Sequence, residues 1–295
     1  MLNHIDPAAL SALRAILETG SFDGAAAALG VTPSAITQRI QRLEDHVGAP
    51  LILRGRPCSA TQAGRRLRQH ADEVALLEHG LQADLGLQAS GIWPRIRIAL
   101  NADSLATWFL GAMAAIDGMQ FDLVLDDQDH SHAWLQRGDV MAAITASPAE
   151  VRGCDVRPLG ALAYRATASP DFMARWFADG LCATSLSQAP MLVFNAKDGL
   201  QRRWLEQQGY GRVAGAPVHW LPSTTAFVEA AERGIGWGLN PYPLVRDQIA
   251  DGRLVDMGGA FSTPLYWHWN RRIGAQLAPV TQAVRGAARK QFCEV

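Results

Sequence analysis

The chain of 295 residues has only four cysteines, Cys58, Cys154, Cys182 and Cys293, and they lie far apart. None forms a CxxC pair or joins a histidine cluster. This spacing excludes the usual zinc frameworks and a disulfide scaffold, and predicts reduced thiols and no metal. Long apolar runs are missing too, since none approaches the roughly 18 residues of a membrane-spanning helix. The start, MLNHIDPAAL, lacks a basic stretch followed by an apolar core. No secretory signal is expected, and the protein is expected in the cytoplasm, away from membranes. Net charge is also scarce, with 27 basic and 28 acidic side chains giving −1. Such a chain does not coat polyanions in bulk, so any affinity for nucleic acid must come from a local patch. GxSxG, Walker, HExxH and GxGxxG motifs are absent. Their absence removes the common enzyme signatures, so neither an enzyme nor a cofactor is expected.

What the chain does have begins near its start. Ala9, Leu10, Leu13, Ile16 and Leu17 recur at three- and four-residue steps, the period of an amphipathic helix. Gly20 ends it, and Ser21 caps an alanine-rich helix over 22–29 whose small residues allow close approach. Gly30 breaks that helix and Val31 fills the space beneath the turn. Thr32 then caps a third helix with Pro33 at its first position. Ile36, Ile40, Leu43 and Val47 share its inner face. The outer face carries Ser34, Thr37, Gln38 and Gln41, flanked by Arg39 and Arg42. Short hydrogen-bonding side chains edged by guanidinium groups suit base edges in a major groove, with phosphates on either side.

The arrangement is helix–turn–helix, whose second helix enters the groove by its first turns. GAPLILRGRPCSATQAG follows, with a strand over 51–53, a turn at Gly55 and Pro57, and a basic tip of Arg54 and Arg56: a wing. Through 32–68 the basic residues are Arg39, Arg42, Arg54, Arg56, Arg65, Arg66 and Arg68, opposed by Glu44 and Asp45. That stripe is the electrostatic footprint of a duplex binder. A helical bundle with a solvated arginine face is the plainer alternative. From Thr61, itself a cap, to about Leu87 runs a proline-free helix. Leu67, Val74 and Leu81 repeat along it every seven residues, near Ala71, Leu77 and Leu85. This seam favours pairing with a second copy, since two recognition helices must face two half-sites; packing on the chain's own body is the alternative. QASGIWPR, 88–95, reads as a hinge.

Residues 95–295 alternate short apolar strands with helices, a pattern that predicts a mostly parallel sheet with crossover helices. Ligands of such sheets sit beyond the strands' carboxyl ends, beside helix N-termini. The residues there are Asn101, Asp103, Ser104, Asp126, Asp127, Thr145, Phe194, Asn195, Asp198, Ser223, Thr224 and Thr225. The helix start at Ser104 suits a carboxylate. Asp103 suits an ammonium, and Asp126 and Asp127 a cationic side chain. Ser104, Ser223 and Asp198 read equally well as helix caps, and the two neighbouring acids as solvated loop residues. Nine tryptophans, Trp267 and Trp269 on one strand face among them, read as core or interface.

The run AAAALGVTPSAITQRIQRLEDHVGAPLILRGRPCSATQAG resembles the DNA-binding domain of LysR-type transcriptional regulators. NADSLATWFL, LQRGDV, AFVEAAERG and LYWHW are similar to the ArgP/LysG branch, which senses basic amino acids and controls their export. The resemblance spans essentially the whole chain. It implies an α+β multidomain protein: a winged helix–turn–helix over 1–60, a linker and dimerisation helix with hinge over 61–91, and a periplasmic-binding-protein-like effector domain over 92–295. That last domain divides into subdomain I, about 92–162 and 266–295, and subdomain II, about 163–265. It also implies operator DNA, an amino-acid effector, a homodimer or homotetramer, and RNA polymerase as partners. Asn195 departs from the pattern, standing where the branch carries an acid, which weakens the pull on a cationic side chain. A neutral amino acid as effector, a replication-inhibiting or architectural DNA binder, and a solute-binding protein remain alternatives.

Overall fold

Each of the first three helices starts on a side-chain cap and stops at a glycine. The computed structural model describes residues 5–86, 93–126, 131–211 and 213–292. In it α1 (Pro7–Thr19) is capped by Asp6 and ends at Gly20, while α2 (Phe22–Leu29) is capped by Ser21 and ends at Gly30. α3 (Pro33–Val47) is capped by Thr32 and ends at Gly48. These caps satisfy amides that the first turn leaves unpaired. Leu13, Ile16, Ala25, Ile36, Ile40 and Leu43 form the core between the helices, with Val31 packed against it. Val47 differs from the expected inner face: it closes α3 beside Gly48 and is 37% exposed.

β1 (Ile52–Leu53) pairs antiparallel with β2 (Ser59–Ala60), forming the wing. Thr61 starts α4 (Gln62–Asp84), its hydroxyl accepting the Gly64 amide at 3.1 Å. The Leu51 carbonyl lies where a Cβ on Gly64 would sit, so only glycine lets α4 approach the wing this closely. Along α4 the seven-residue seam splits. Leu67 packs on the N-terminal core and Ala71 is buried. Leu76, off the seam, enters the C-terminal core, whereas Leu77, Leu81 and Leu85 are exposed. α4 ends at Asp84, short of the expected Leu87, which lies outside the described residues, as does 88–92 of the expected hinge.

The C-terminal half opens with β3 (Arg95–Leu100), followed by α5 (Ala102–Ser104), a π-helical turn (Leu105–Phe109) and α6 (Leu110–Met113) in one helical stretch. Next come β4 (Gln120–Leu125), α7 (Ser131–Arg137), β5 (Ala142–Thr145) and the long β6 (Cys154–Ala168). α8 (Pro170–Trp176), α9 (Ala183–Gln188), β7 (Met191–Val193), α10 (Leu200–Gln207), β8 (Val218–Trp220) and α11 (Thr224–Glu232) continue the chain. β9 (Gly238–Pro241), α12 (Tyr242–Ala250), β10 (Val255–Asp256), β11 (Phe261–Asn270) and α13 (Ala278–Phe292) complete it.

The mostly parallel sheet is not what forms. Among the described residues a seven-stranded sheet runs β10-β6-β11-β5-β3-β4, with β9 also on β6. Only β3 with β4 and β3 with β5 are parallel in it, while β6 pairs antiparallel with β11, β9 and β10. β7 and β8 form a separate parallel pair. The reason is β6 and β11, two long strands that run side by side across this half of the chain and carry a bulge between Leu265 and Tyr266. At its far end β11 meets α4, where Asn270 Nδ2 donates to Glu73 Oε1 at 2.6 Å. Trp204, Trp237 and Trp267 are fully buried, as core tryptophans should be, whereas Trp93 and Trp220 are exposed. Cys58, Cys154 and Cys182 are free thiols, and Cys293 lies outside the described residues.

Candidate DNA-reading face and effector cavity

α3 presents Ser34, Gln38, Gln41 and Arg42 to solvent, with Thr37 and Arg39 half-buried. The Thr37 hydroxyl donates to the Pro33 carbonyl at 3.0 Å, which leaves its oxygen as an acceptor. Arg54 and Arg56 are exposed on the wing, and the Arg54 guanidinium stands 5.4 Å above the Phe22 ring. That contact fixes the wing against the start of α2. Glu44 does not oppose the stripe as an open charge. Its carboxylate accepts the Leu51 amide at 2.7 Å and the Ile52 amide at 3.4 Å, tying α3 to the wing.

Two arginines of the expected stripe turn inward instead. Arg65 pairs with Asp139 at 3.6 Å, and Arg68 reaches Asp72 and Asp122, each at 3.8 Å. Asp122 also receives Arg95 at 3.0 Å and Arg97 at 3.2 Å, while Arg95 bonds Glu18 of α1 at 3.1 Å. This network joins α1, α4 and the sheet. Burial pushes the Asp72 carboxyl up to about 6, against the pull of Arg68, Arg14 and Arg95. Burial likewise lowers Arg97, countered by Asp122. The contact is close enough that the Gln69 side chain of α4 fills the space of a Cβ on Gly138.

A cavity of about 340 Å³ lies between the helix start after β3 and the loops around β7, α11 and β9. Of the sequence-predicted residues, Asn101, Asp103, Asp126, Phe194, Asn195, Asp198 and Thr224 line it. Asp103 is the hub: Tyr164 Oη donates to Oδ2 at 2.8 Å and Thr224 Oγ1 to Oδ1 at 3.0 Å. Burial first, and Asp103 second, hold the Tyr164 phenol far above its ordinary value, so it stays a proton donor. Asp126 accepts the Trp134 indole N–H at 2.7 Å through Oδ2 and the Lys197 ammonium at 3.3 Å through Oδ1. Asp198 accepts the amides of Phe194 at 3.0 Å and Leu200 at 2.9 Å. Asn195 Oδ1 accepts the amides of Lys197 at 2.8 Å and Asp198 at 3.2 Å, so this amide shapes the loop.

Other expected residues lie off the cavity. Ser104 is fully buried behind its wall, so its hydroxyl does not face the space. Thr145 is held by the Ser147 carbonyl at 2.9 Å and by His268 at 3.1 Å. Ser223 caps α11 through the Ala226 amide, with Thr225 beside it at 3.3 Å, and Asp127 lies outside the described residues. The cavity also gathers Lys197, Arg203 and Asn240, with Tyr164 behind Asp103. Nothing in local spacing marks these four, because strand pairing and loop closure bring them in. Among the described residues no helix is long and apolar enough to cross a membrane, and no group of three or more His, Cys, Asp and Glu could hold a metal.

Residues 7–65 match the family described as bacterial regulatory helix-turn-helix protein, lysR family, and residues 89–293 match the LysR substrate binding domain. The chain is 41% identical over 285 residues to the HTH-type transcriptional regulator LysG of Mycobacterium tuberculosis, covering 96% of this chain and 94% of that protein. The crystal structure of ArgP from Mycobacterium tuberculosis superposes with a TM-score of 0.81 at 41% identity, covering 96% of this chain and 97% of that one. The lysine export transcriptional regulatory protein LysG of Corynebacterium glutamicum is 37% identical over 288 residues, 96% of this chain and 98% of that protein. Full-length LysG from Corynebacterium glutamicum with bound effector Arg matches with a TM-score of 0.69 at 36% identity, covering 97% of this chain and 98% of that one.

Proposed function

The chain belongs to the LysR family of DNA-binding transcriptional regulators, and from that premise we propose that its effector is a basic amino acid, arginine or lysine, and its target an exporter of that amino acid. The helix-turn-helix match removes the solute-binding alternative, and the protein is a regulator rather than an enzyme.

The charge of the cavity carries the effector assignment. Among the described residues Asp103, Asp126 and Asp198 line it with Lys197 and Arg203, so carboxylates outnumber bases. Arginine and lysine carry +1 near neutrality, so they answer this excess of carboxylate where a neutral amino acid does not. Arg203 supplies a guanidinium for the ligand's carboxylate, and the three acids draw its cationic groups. LysG with bound effector Arg, from Corynebacterium glutamicum, supports the same choice.

On the DNA side, Ser34, Thr37, Gln38 and Gln41 read bases, while Arg39, Arg42, Arg54 and Arg56 hold phosphates. The division is a DNA-binding unit over 1–60, a linker over 61–91 and an effector unit over 92–295, whose internal boundaries fall within β6 and β11. Exposed Leu77, Leu81 and Leu85 pair the linker helix with another copy in a cytoplasmic dimer or tetramer. Effector binding that prefers one quaternary arrangement by about 1–3 kcal/mol is enough to alter the spacing of the recognition helices.

Thermal-shift screening of the amino acids, with gel shifts on DNA upstream of the protein's own gene, tests this function. Asp103→Asn is expected to weaken arginine and lysine more than glutamine; an equal loss for all three would refute the charge argument.

A further inference from the structure

Asp126 follows β4, on one side of the cavity, and Lys197 lies in the loop after β7, on the other. Their ion pair, at 3.3 Å, joins these two parts of the cavity lining. Trp134 fixes one carboxylate oxygen through its indole N–H, so the ammonium contends for the other. The Lys197 side chain is 52% exposed, and its backbone amide is held by Asn195 Oδ1 at 2.8 Å. The loop is therefore anchored while the ammonium swings on a flexible stem, as a compact, well-hydrated lysine charge does.

We propose that Lys197 is an internal competitor of the effector: its ammonium occupies the place on Asp126 that the ligand's cationic end takes, so binding displaces it into solvent. This assignment rests on a basic amino acid being the effector, and it names the residue that tunes the site's affinity. Leaving is easy, because a pair this exposed contributes little. Lys197 thus weakens the cavity's hold on cations without deforming it, and raises the ligand concentration at which the regulator responds. Neutral ligands, which do not contend for Asp126, are indifferent to it.

The test is isothermal titration of the full chain with arginine, lysine and glutamine, using the wild type, Lys197→Met and Lys197→Arg. Lys197→Met is expected to bind arginine and lysine about fivefold more tightly, the scale of one exposed ion pair, with glutamine unchanged. Lys197→Arg, which keeps the charge, is expected to stay near the wild type. If Lys197→Met binds arginine more weakly, Lys197 holds the ligand's carboxylate and the proposal is overturned. Unchanged affinity makes the pair a bystander and overturns it equally. If the wild type binds neither basic amino acid, the effector assignment itself fails, which the wild-type titration reveals without reference to either variant.

Discussion

Asp72 lies on α4 where the linker helix meets α1 and the sheet, facing Arg68, Arg14, Glu18 and Arg95. Its carboxyl ionises at about 6 in the folded chain, against 3.8 for an ordinary aspartate, with burial as the leading cause. The folded state therefore keeps a proton that the unfolded chain releases. Stability from this group is complete below about pH 4, declines as pH rises toward 6, and is gone above it. Each pH interval of one is worth about 1.36 kcal/mol, so ionised Asp72 costs the fold about 3 kcal/mol at pH 7.5. Asp72→Asn imitates the protonated form in shape and removes that cost. The variant is expected to gain about 3 kcal/mol at pH 7.5 and almost nothing at pH 4. For a chain of this size that corresponds to roughly 5 °C in melting temperature. Circular dichroism melts of both proteins across pH 4–8 measure the difference. A gain that is the same at both ends, or a loss at pH 7.5, would falsify the account of Asp72 as a carboxylate held in place against its own desolvation.

Two further outcomes are expected. Gln38→Ala should lose about 1–3 kcal/mol of discrimination between an operator and a base-changed copy, whereas Arg54→Ala should weaken all duplexes alike and lower the salt slope by about one. Quantitative gel shifts at several salt concentrations separate the two, and identical behaviour would show that the groove assignment is wrong. Gly64→Ala should destabilise the N-terminal unit by about 1–3 kcal/mol, because the added methyl meets the backbone carbonyl of Leu51 and not a side chain that can swing away. A urea midpoint equal to that of the wild type would mean that α4 and the wing shift apart freely.

The N-terminal helices are legible in sequence because each carries three concordant signals: a polar cap, a 3.6-residue apolar period and a terminal glycine. The wing is legible from Gly55, Pro57 and the arginines around them. Strand direction in the C-terminal half is not. β6 contains Pro158 and Gly160, which read locally as a break, yet Pro158 still pairs opposite Tyr266 of β11, with the bulge taken up between it and Gly160. Only the partner strand, more than a hundred positions away, makes that segment continuous. The cavity shows the same limit. Asp103, Asp126 and Asp198 stand at strand and helix ends, where a sequence rule can find them. Tyr164 sits mid-strand and looks like ordinary core, and its hydroxyl gains meaning only once β6 lies beside the start of α5. The inward turn of Arg65 and Arg68 was equally hidden, since their acids Asp139 and Asp122 belong to the other half of the chain.

β11 is ten residues long, and its two ends answer to different parts of the molecule. Phe261 stacks edge-on against Tyr164, whose hydroxyl holds Asp103 in the cavity wall. Asn270, at the opposite end, grips Glu73 on the helix that carries the DNA-reading arm. One strand thus reaches from the residue behind the cavity wall to the linker helix. A displacement of Tyr164 presses on Phe261 at one end and a displacement of α4 pulls on Asn270 at the other, so both act on the same strand.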